Sequence, residues 1–406
     1  MSGIRRHLLS LFLLGLAGLI PARAQIDPYS RDLVQFGYNG SLEGKSPLAA
    51  YMFYYRNQPN FLRTNLTLRL ALAPVYLDSE LGVAHALGEN TDLGLGLAGG
   101  GYADSYDEIR RGRFLESESF TGHGGEMSMS VYHCFNPGDQ IPLNGMIRGI
   151  VHYSTYHRLD NTSPAFELPT DQTTLSVRTG LRWGGKEPML FPSLAMELSV
   201  WYEGYFRTGS ERYGFAGDRE IERLSNLFWM QALLAYTFPE TEQNFFINLT
   251  AGSSIQADRF NAYRLGALLP LVSEFPLSLP GYYFNEISAR NYVLLGANYT
   301  IPLDRKKRWN VNFTGTTALV DYMPGLDQPG NWHSGIGGGL LYQGPSMKVM
   351  VGYAYGIDAI RSHGRGAQSV GILMQFDLGQ SPLKWLSPGE ASRWRGFQKF
   401  LGVFGN

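Results

Sequence analysis

The residues best placed to do chemistry are charged side chains set at alternate positions inside apolar segments. Arg69, Arg148, Arg178 and Arg182 each interrupt a run of leucine, valine or isoleucine, and Glu197 and Glu203 do the same further along. Charges spaced in this way collect on one face of their strands. There they form either an electrostatic constriction that selects what passes or cross-strand ion pairs that stiffen a filled interior. Catalysis is not expected. The chain has no G-x-S-x-G nucleophile elbow, and no H-E-x-x-H or Cys/His metal spacing. Its eight histidines are scattered. Only His152 and His157 could meet in an interior, and they lack the matching serine of a hydrolase. The reading is a non-enzyme with no catalytic residue, no metal and no cofactor.

The elements that position these charges show as period-two alternation. Leu66, Leu68, Leu70 and Leu72 share a face opposite Arg69. Ile147, Val151 and Tyr153 oppose Arg148, His152 and Ser154, while Leu175, Val177, Leu181 and Trp183 oppose Ser176, Arg178 and Arg182. Leu194, Met196, Leu198, Val200 and Tyr202 oppose Glu197, Ser199 and Glu203. Such segments number about sixteen by the barrel pattern. Their centres fall near 36, 52, 69, 84, 97, 130, 150, 177, 199, 231, 249, 295, 315, 338, 351 and 373.

Alternation alone suits a soluble sandwich as well as a membrane barrel, but loop lengths separate them. Short turns (57–60, 88–92, 184–188, 239–243, 302–307 and 343–346) alternate with long loops (103–126, 158–172, 207–223 and 256–286). Short turns at one end and long loops at the other mark an outer-membrane barrel.

Composition agrees. Glycine supplies 49 of 406 residues, well above the usual ~7 %. Charged residues are 17 %, below the ~25 % of soluble domains. Tyr (24) and Phe (23) are numerous enough for aromatic girdles. A net charge of −1 argues against a nucleic-acid partner. The single cysteine, Cys134, excludes an internal disulfide and reads as packing.

The chain ends carry their own signals. Arg5-Arg6-His7, the apolar run Leu8–Ile20 and Ala22-Arg23-Ala24 read as a cleaved signal peptide over 1–24. The apolar run is shorter than the ~20 residues of a spanning helix. The barrel is assigned to 26–379, its bilayer to the cell outer membrane, and 380–406 to a periplasmic tail. In that tail Trp394, Phe397, Phe400, Leu401 and Phe404 recur at helical spacing among Arg393, Arg395 and Lys399. The pattern suits an amphipathic helix on the inner leaflet or on a periplasmic protein partner; a frayed terminus is the alternative.

Five further stretches carry a resemblance. Leu279-Pro280-Gly281-Tyr282 is followed by a strand ending Asn298-Tyr299-Thr300-Ile301-Pro302-Leu303. After it come Leu319-Val320-Asp321 and the glycine-rich stretches at 335–342 and 352–356. In this order, over 255–379, they resemble the BamA/TamA-type outer-membrane barrel superfamily, the bacterial surface antigen family. Barrels fused behind patatin-like phospholipases are similar too. The resemblance implies an all-β, transmembrane antiparallel barrel whose long loop between strands 11 and 12 folds toward the lumen. Leu279–Tyr282 would be its tip and Asp321 the acid contacting it. Ser369, Gly371, Met374 and Phe376 match the closing-strand signal that insertion machinery reads.

Two departures stand out. The family's loop arginine is Pro280 here, so Asp321 must pair with another cation such as Arg264 or Arg290, or sit exposed. Simple alternation even turns Asp321 toward lipid unless a bulge intervenes. No POTRA modules are expected ahead of the barrel.

The implied role is outer-membrane biogenesis, the insertion or translocation of proteins or lipids. A passive channel for small solutes and a barrel anchoring a periplasmic partner are the alternatives. A biogenesis role predicts a mobile loop at 257–287 and a short or frayed pairing of the strands near 36 and 373. A channel predicts full seam closure and an open lumen. An anchor predicts that loss of 380–406 releases a partner.

Overall fold

A computed structural model describes residues 29–139, 141–186, 195–269 and 274–379. The expected signal peptide over 1–24, Leu194 and the expected tail over 380–406 lie outside the described residues. The chain forms sixteen long antiparallel strands closed into one barrel. They are β1 (Arg31–Ser41), β2 (Ala49–Pro59), β3 (Leu66–Ala73), β4 (Tyr76–Val83), β5 (Thr91–Gly100), β6 (Phe120–Cys134), β7 (Leu143–Arg158) and β8 (Gln172–Lys186). The second half comprises β9 (Ala195–Arg207), β10 (Leu224–Thr237), β11 (Asn244–Ile255), β12 (Ile287–Pro302), β13 (Trp309–Tyr322), β14 (Trp332–Gln343), β15 (Met347–Arg361) and β16 (Gly364–Asp377).

Every expected strand centre falls inside its strand except 84, one residue past Val83. The reason is the short Pro74-Val75 link, which starts β4 early, while alternation in the sequence continues into the turn after it.

The barrel is inside-out relative to a soluble protein. On β9, Leu198 and Val200 are about half exposed, whereas Glu197, Ser199 and Glu203 are buried. The same division holds on β7 and β8, where Ile147, Val151, Leu175 and Leu181 are exposed and Asn144, Ser154 and Ser176 are buried. Trp183 and Trp309 at one end, and Trp332 at the other, are exposed on this outer surface. A closed barrel satisfies the strand backbone within the wall, and an apolar exterior over a polar interior is the arrangement that spans a bilayer. No helix among the described residues is long and apolar enough to cross a membrane.

The ring closes between β1 and β16. Their pairing runs unbroken from Leu33 opposite Asp377 to Ser41 opposite Ser369. It is as long as the β1–β2 pairing and longer than β2–β3, which spans only Tyr54–Pro59. The short seam expected for a biogenesis role is therefore not what the chain shows. Met374 and Phe376 lie opposite Phe36 and Val34 across the seam. Ser369 and Gly371 are buried on the interior face of β16.

At the mouth opposite the seam's Leu33–Asp377 end, long loops converge. Phe166–Glu167, Glu211–Phe215 and Arg219–Ile221 form a small separate sheet. Tyr106, Phe120, Tyr156, Phe166, Tyr213 and Ile221 make a core beneath it, with Phe260 packed alongside.

Candidate functional site

The segment between β11 and β12 meets the interior surface on several sides. Its first contacts are at the seam. The side-chain oxygen of Asn39, on β1, accepts the backbone N–H groups of Leu268 and Leu269, each at 3.2 Å. Asn39 faces Gly371 across the seam, and Leu269 fills the space beside Gly371 that a Cβ would need. Leu268 likewise lies against Gly337 and Gly352 on β14 and β15. A side chain at these wall positions would press on the leucine tips of the segment.

The second set of contacts is on β8–β10. Arg178 pairs with Glu203 at 2.9 Å, and Arg182 with Glu197 at 3.3 Å. Glu274 reaches both cations, 2.8 Å from Arg182 and 3.9 Å from Arg178. Phe275 packs edge-on against Trp201 and Trp229, with centroids 5.2 and 5.5 Å apart. Those two indoles stack on each other at 6.2 Å, and Arg182 lies over Trp201. Alternating polar and aromatic inner residues thus make a clasp for one stretch of the segment. Beside it is a cavity of about 420 Å³ lined by Arg178, Glu203, Tyr205, Trp229 and Tyr263.

The third set holds Leu279–Tyr282. Leu279 and Tyr282 are buried. A Cβ on Gly281, whose φ is +85°, would lie 1.8 Å from the Gly356 nitrogen. One on Gly335 would lie 2.0 Å from the Pro280 carbonyl oxygen. The β15 register shifts between Gly356 and Ile360, next to this contact. Gly281→Ala therefore suffers twice, from the left-handed backbone at roughly 1–2 kcal/mol and from the clash. Expulsion of this stretch from the wall is expected, measured as new protease cleavage within 274–286 of the folded barrel.

A buried ion pair locks this end. Arg361, at the end of β15, pairs with both oxygens of Glu286 at 2.9 Å, and both side chains are at most 1 % exposed. The guanidinium also lies 3.7 Å from the centre of the Tyr283 ring. Tyr282 and Tyr322 bracket the buried His333, with the Tyr282 hydroxyl 3.1 Å from Nδ1.

Asp321 requires a correction. It does not contact Leu279–Tyr282. Its side chain is half exposed on the outer surface, 3.3 Å from Arg290, and accepts a hydrogen bond from Asn291 at 2.8 Å. A register shift does occur, but on the partner strand β12 between Ala289 and Asn291. It brings Arg290 to Asp321 and leaves the acid facing outward. The acid that binds the wall cation is Glu286, and the arginine is on the barrel.

The remaining charges join on the inner face. Glu80 on β4, which sequence reasoning missed, accepts from Arg148 and from the Tyr132 hydroxyl at 2.8 Å. Arg69 stands 3.3 Å from Asp78 and 3.7 Å from Glu80. All four arginines named from the sequence are thus paired. His152 lies between Asp104 and Glu126, at 2.8 and 3.2 Å. His157 instead packs its ring on His123, 5.1 Å away, and does not meet His152. No group of three metal-ligating side chains occurs among the described residues.

No protein-family model matches the chain, and comparison with curated proteins finds no match. Solved structures do match. CdiB from Escherichia coli superposes with a TM-score of 0.56 at 11 % identity, over 86 % of this chain and 63 % of its own. BamA from Haemophilus ducreyi lacking POTRA domains 1–3 gives 0.54 at 10 %, over 85 % and 70 %. CdiB from Acinetobacter baumannii gives 0.52 at 10 %, over 86 % and 60 %.

The fold is that of the BamA and CdiB barrels. The chain spans less than two thirds of either CdiB. Within this BamA-like fold, the ion pair at the lumen segment has the acid on the segment and the cation on the wall. That polarity is the reverse of the one the sequence resemblance implied.

Proposed function

We propose that this chain is an outer-membrane barrel that inserts or translocates protein, and that the segment at 256–286 governs the seam. The observation carrying this reading is the grip of Leu268 and Leu269 on Asn39 and Gly371, facing residues of the first and last strands. A segment that rests on both sides of a seam resists its parting while docked and permits it once withdrawn. The likeness in fold to BamA and CdiB supports the same reading. A protein partner would supply substrate capture. The continuous β1–β16 pairing favours the second reading, a passive channel with a permanently closed wall.

The two readings part in one experiment. Purified barrel in liposomes is given an unfolded barrel protein from outside, with and without a seam crosslink made by Tyr38→Cys and Ile372→Cys, which face each other. The native Cys134 is buried and does not compete. Acceleration of folding that the oxidised crosslink abolishes and reduction restores is the expected result. Steady ion conductance with no acceleration, unchanged by the crosslink, would establish the channel instead.

A further inference from the structure

The turn between β12 and β13 reads Asp304-Arg305-Lys306-Lys307-Arg308. Leu33 of the first strand faces Asp377 of the last, so even-numbered strands run toward that end, and the turn lies there. Lys307 pairs with Glu242 of the neighbouring turn. Arg305, Lys306 and Arg308 are exposed, and no ion pair engages them among the described residues. The other described turns at this end are different. Arg63 is the one basic residue in 60–65, while 84–90, 135–139 and 238–243 carry acidic residues.

The turn is built rather than loose. The Leu303 N–H donates to the Trp309 carbonyl at 2.7 Å, and the Trp309 N–H donates to the Asp304 carboxylate at 2.9 Å. The Lys307 N–H donates to the Asp304 carbonyl at 3.0 Å, and the Gln343 N–H donates to the Arg308 carbonyl at 2.7 Å. The backbone carrying three cations with no ion-pair partner among the described residues is therefore ordered before anything binds. Their flanks are apolar: Leu303 and Trp309 are about half exposed, and the Trp309 ring packs 5.0 Å from Tyr342. Exposed Phe313, Leu295 and Val293 extend this surface along β12 and β13.

Cations at the foot of a lipid-facing stripe, with an indole beside them, have the chemistry of a bilayer interface. We propose that this turn binds the headgroup of an anionic phospholipid in the adjoining leaflet. Arg305, Lys306 and Arg308 donate to the phosphate oxygens, and the acyl chains lie along Leu303, Trp309 and Phe313. Guanidinium groups suit phosphate because they offer paired donors. The apolar flanks favour a lipid over an acidic soluble protein, which would meet polar surface around its charges. The inference holds whether the barrel inserts protein or conducts solutes.

Native mass spectrometry of the full chain in detergent, with equimolar phosphatidylglycerol and phosphatidylcholine, tests it. Wild type should retain phosphatidylglycerol preferentially. The R305Q/K306Q/R308Q variant should lose the preference by about fivefold per cation removed, and Arg63→Gln should keep it. Equal thermal unfolding of wild type and triple variant in phosphatidylcholine micelles verifies that the variant is folded. Equal retention of both lipids by wild type overturns the proposal, as does a folded triple variant that keeps the preference. Loss of binding to an acidic periplasmic protein, with lipid retention unchanged, assigns the turn to a protein instead.

Discussion

Arg361→Ala lowers the unfolding free energy by about 3–5 kcal/mol, because it strands a buried carboxylate. The Glu286 side chain is fully buried, and beside the Tyr283 N–H at 2.7 Å it has two guanidinium contacts at 2.9 Å. The truncation also strips the cation from the Tyr283 ring. Replacing both partners by methionine removes the stranded charge along with the pair, so R361M/E286M should recover much of the loss. Equilibrium unfolding in lipid micelles measures both variants. A single variant as stable as wild type would mean that the pair contributes nothing. If the segment governs the seam as proposed, Arg361→Ala also speeds folding of an added barrel protein, since it loosens the segment without altering any residue of the β1–β16 pairing.

Arg219→Ala is expected to dismantle the cap at the far mouth, at a comparable cost of about 3–5 kcal/mol for a buried charge network. Arg219 is almost wholly buried, bonded to Glu118, 3.6 Å from Glu108 and stacked 4.7 Å from the centre of Phe166. Glu108 is fully buried and also accepts from Arg259, which ties the β5–β6 loop to the segment after β11. Burial opposes ionisation of Glu108, but Arg259 and Arg219 outweigh it and hold its carboxyl below the ordinary carboxylate value. Its neighbour Tyr106, buried and hydrogen-bonded to it, is pushed up to about 12 and stays neutral.

A carboxyl with a depressed folded value stabilises the cap above its unfolded value of about 4.3, and that stabilisation is lost as pH falls through the lower folded value. Single-barrel conductance should be steady from neutral pH down to about 4 and rise below it. Glu108→Gln should remove that dependence. An Arg219→Ala barrel with wild-type conductance and protease resistance would show that the cap does not depend on the network.

The strands were legible in the sequence because a barrel in lipid must alternate apolar and polar side chains along every strand. Leu198 and Val200 against Glu197 and Ser199 announce the wall, its two faces and the charged interior. Turn composition between such segments set the strand order, since antiparallel neighbours follow one another in the chain.

Partnership was not legible, because it depends on register and on contacts across the interior. Arg148 is nearest to Glu80, Arg182 shares Glu274 with Arg178, and Asn39 receives the amides of Leu268 and Leu269. Each pair is far apart in sequence, and nothing local marks one member as the other's complement. Asp321 separates the two kinds of reading: the resemblance put it against the lumen segment, whereas plain alternation turned it outward with Arg290 among its possible partners, and it is on the outer face with Arg290. Sequence alone determined the wall strands and the faces of most of their residues, Glu80 on β4 being missed. The closed ring decided which charges meet, because ring closure brings β15 beside a segment about 75 residues earlier in the chain and pairs the buried Arg361 with the buried Glu286.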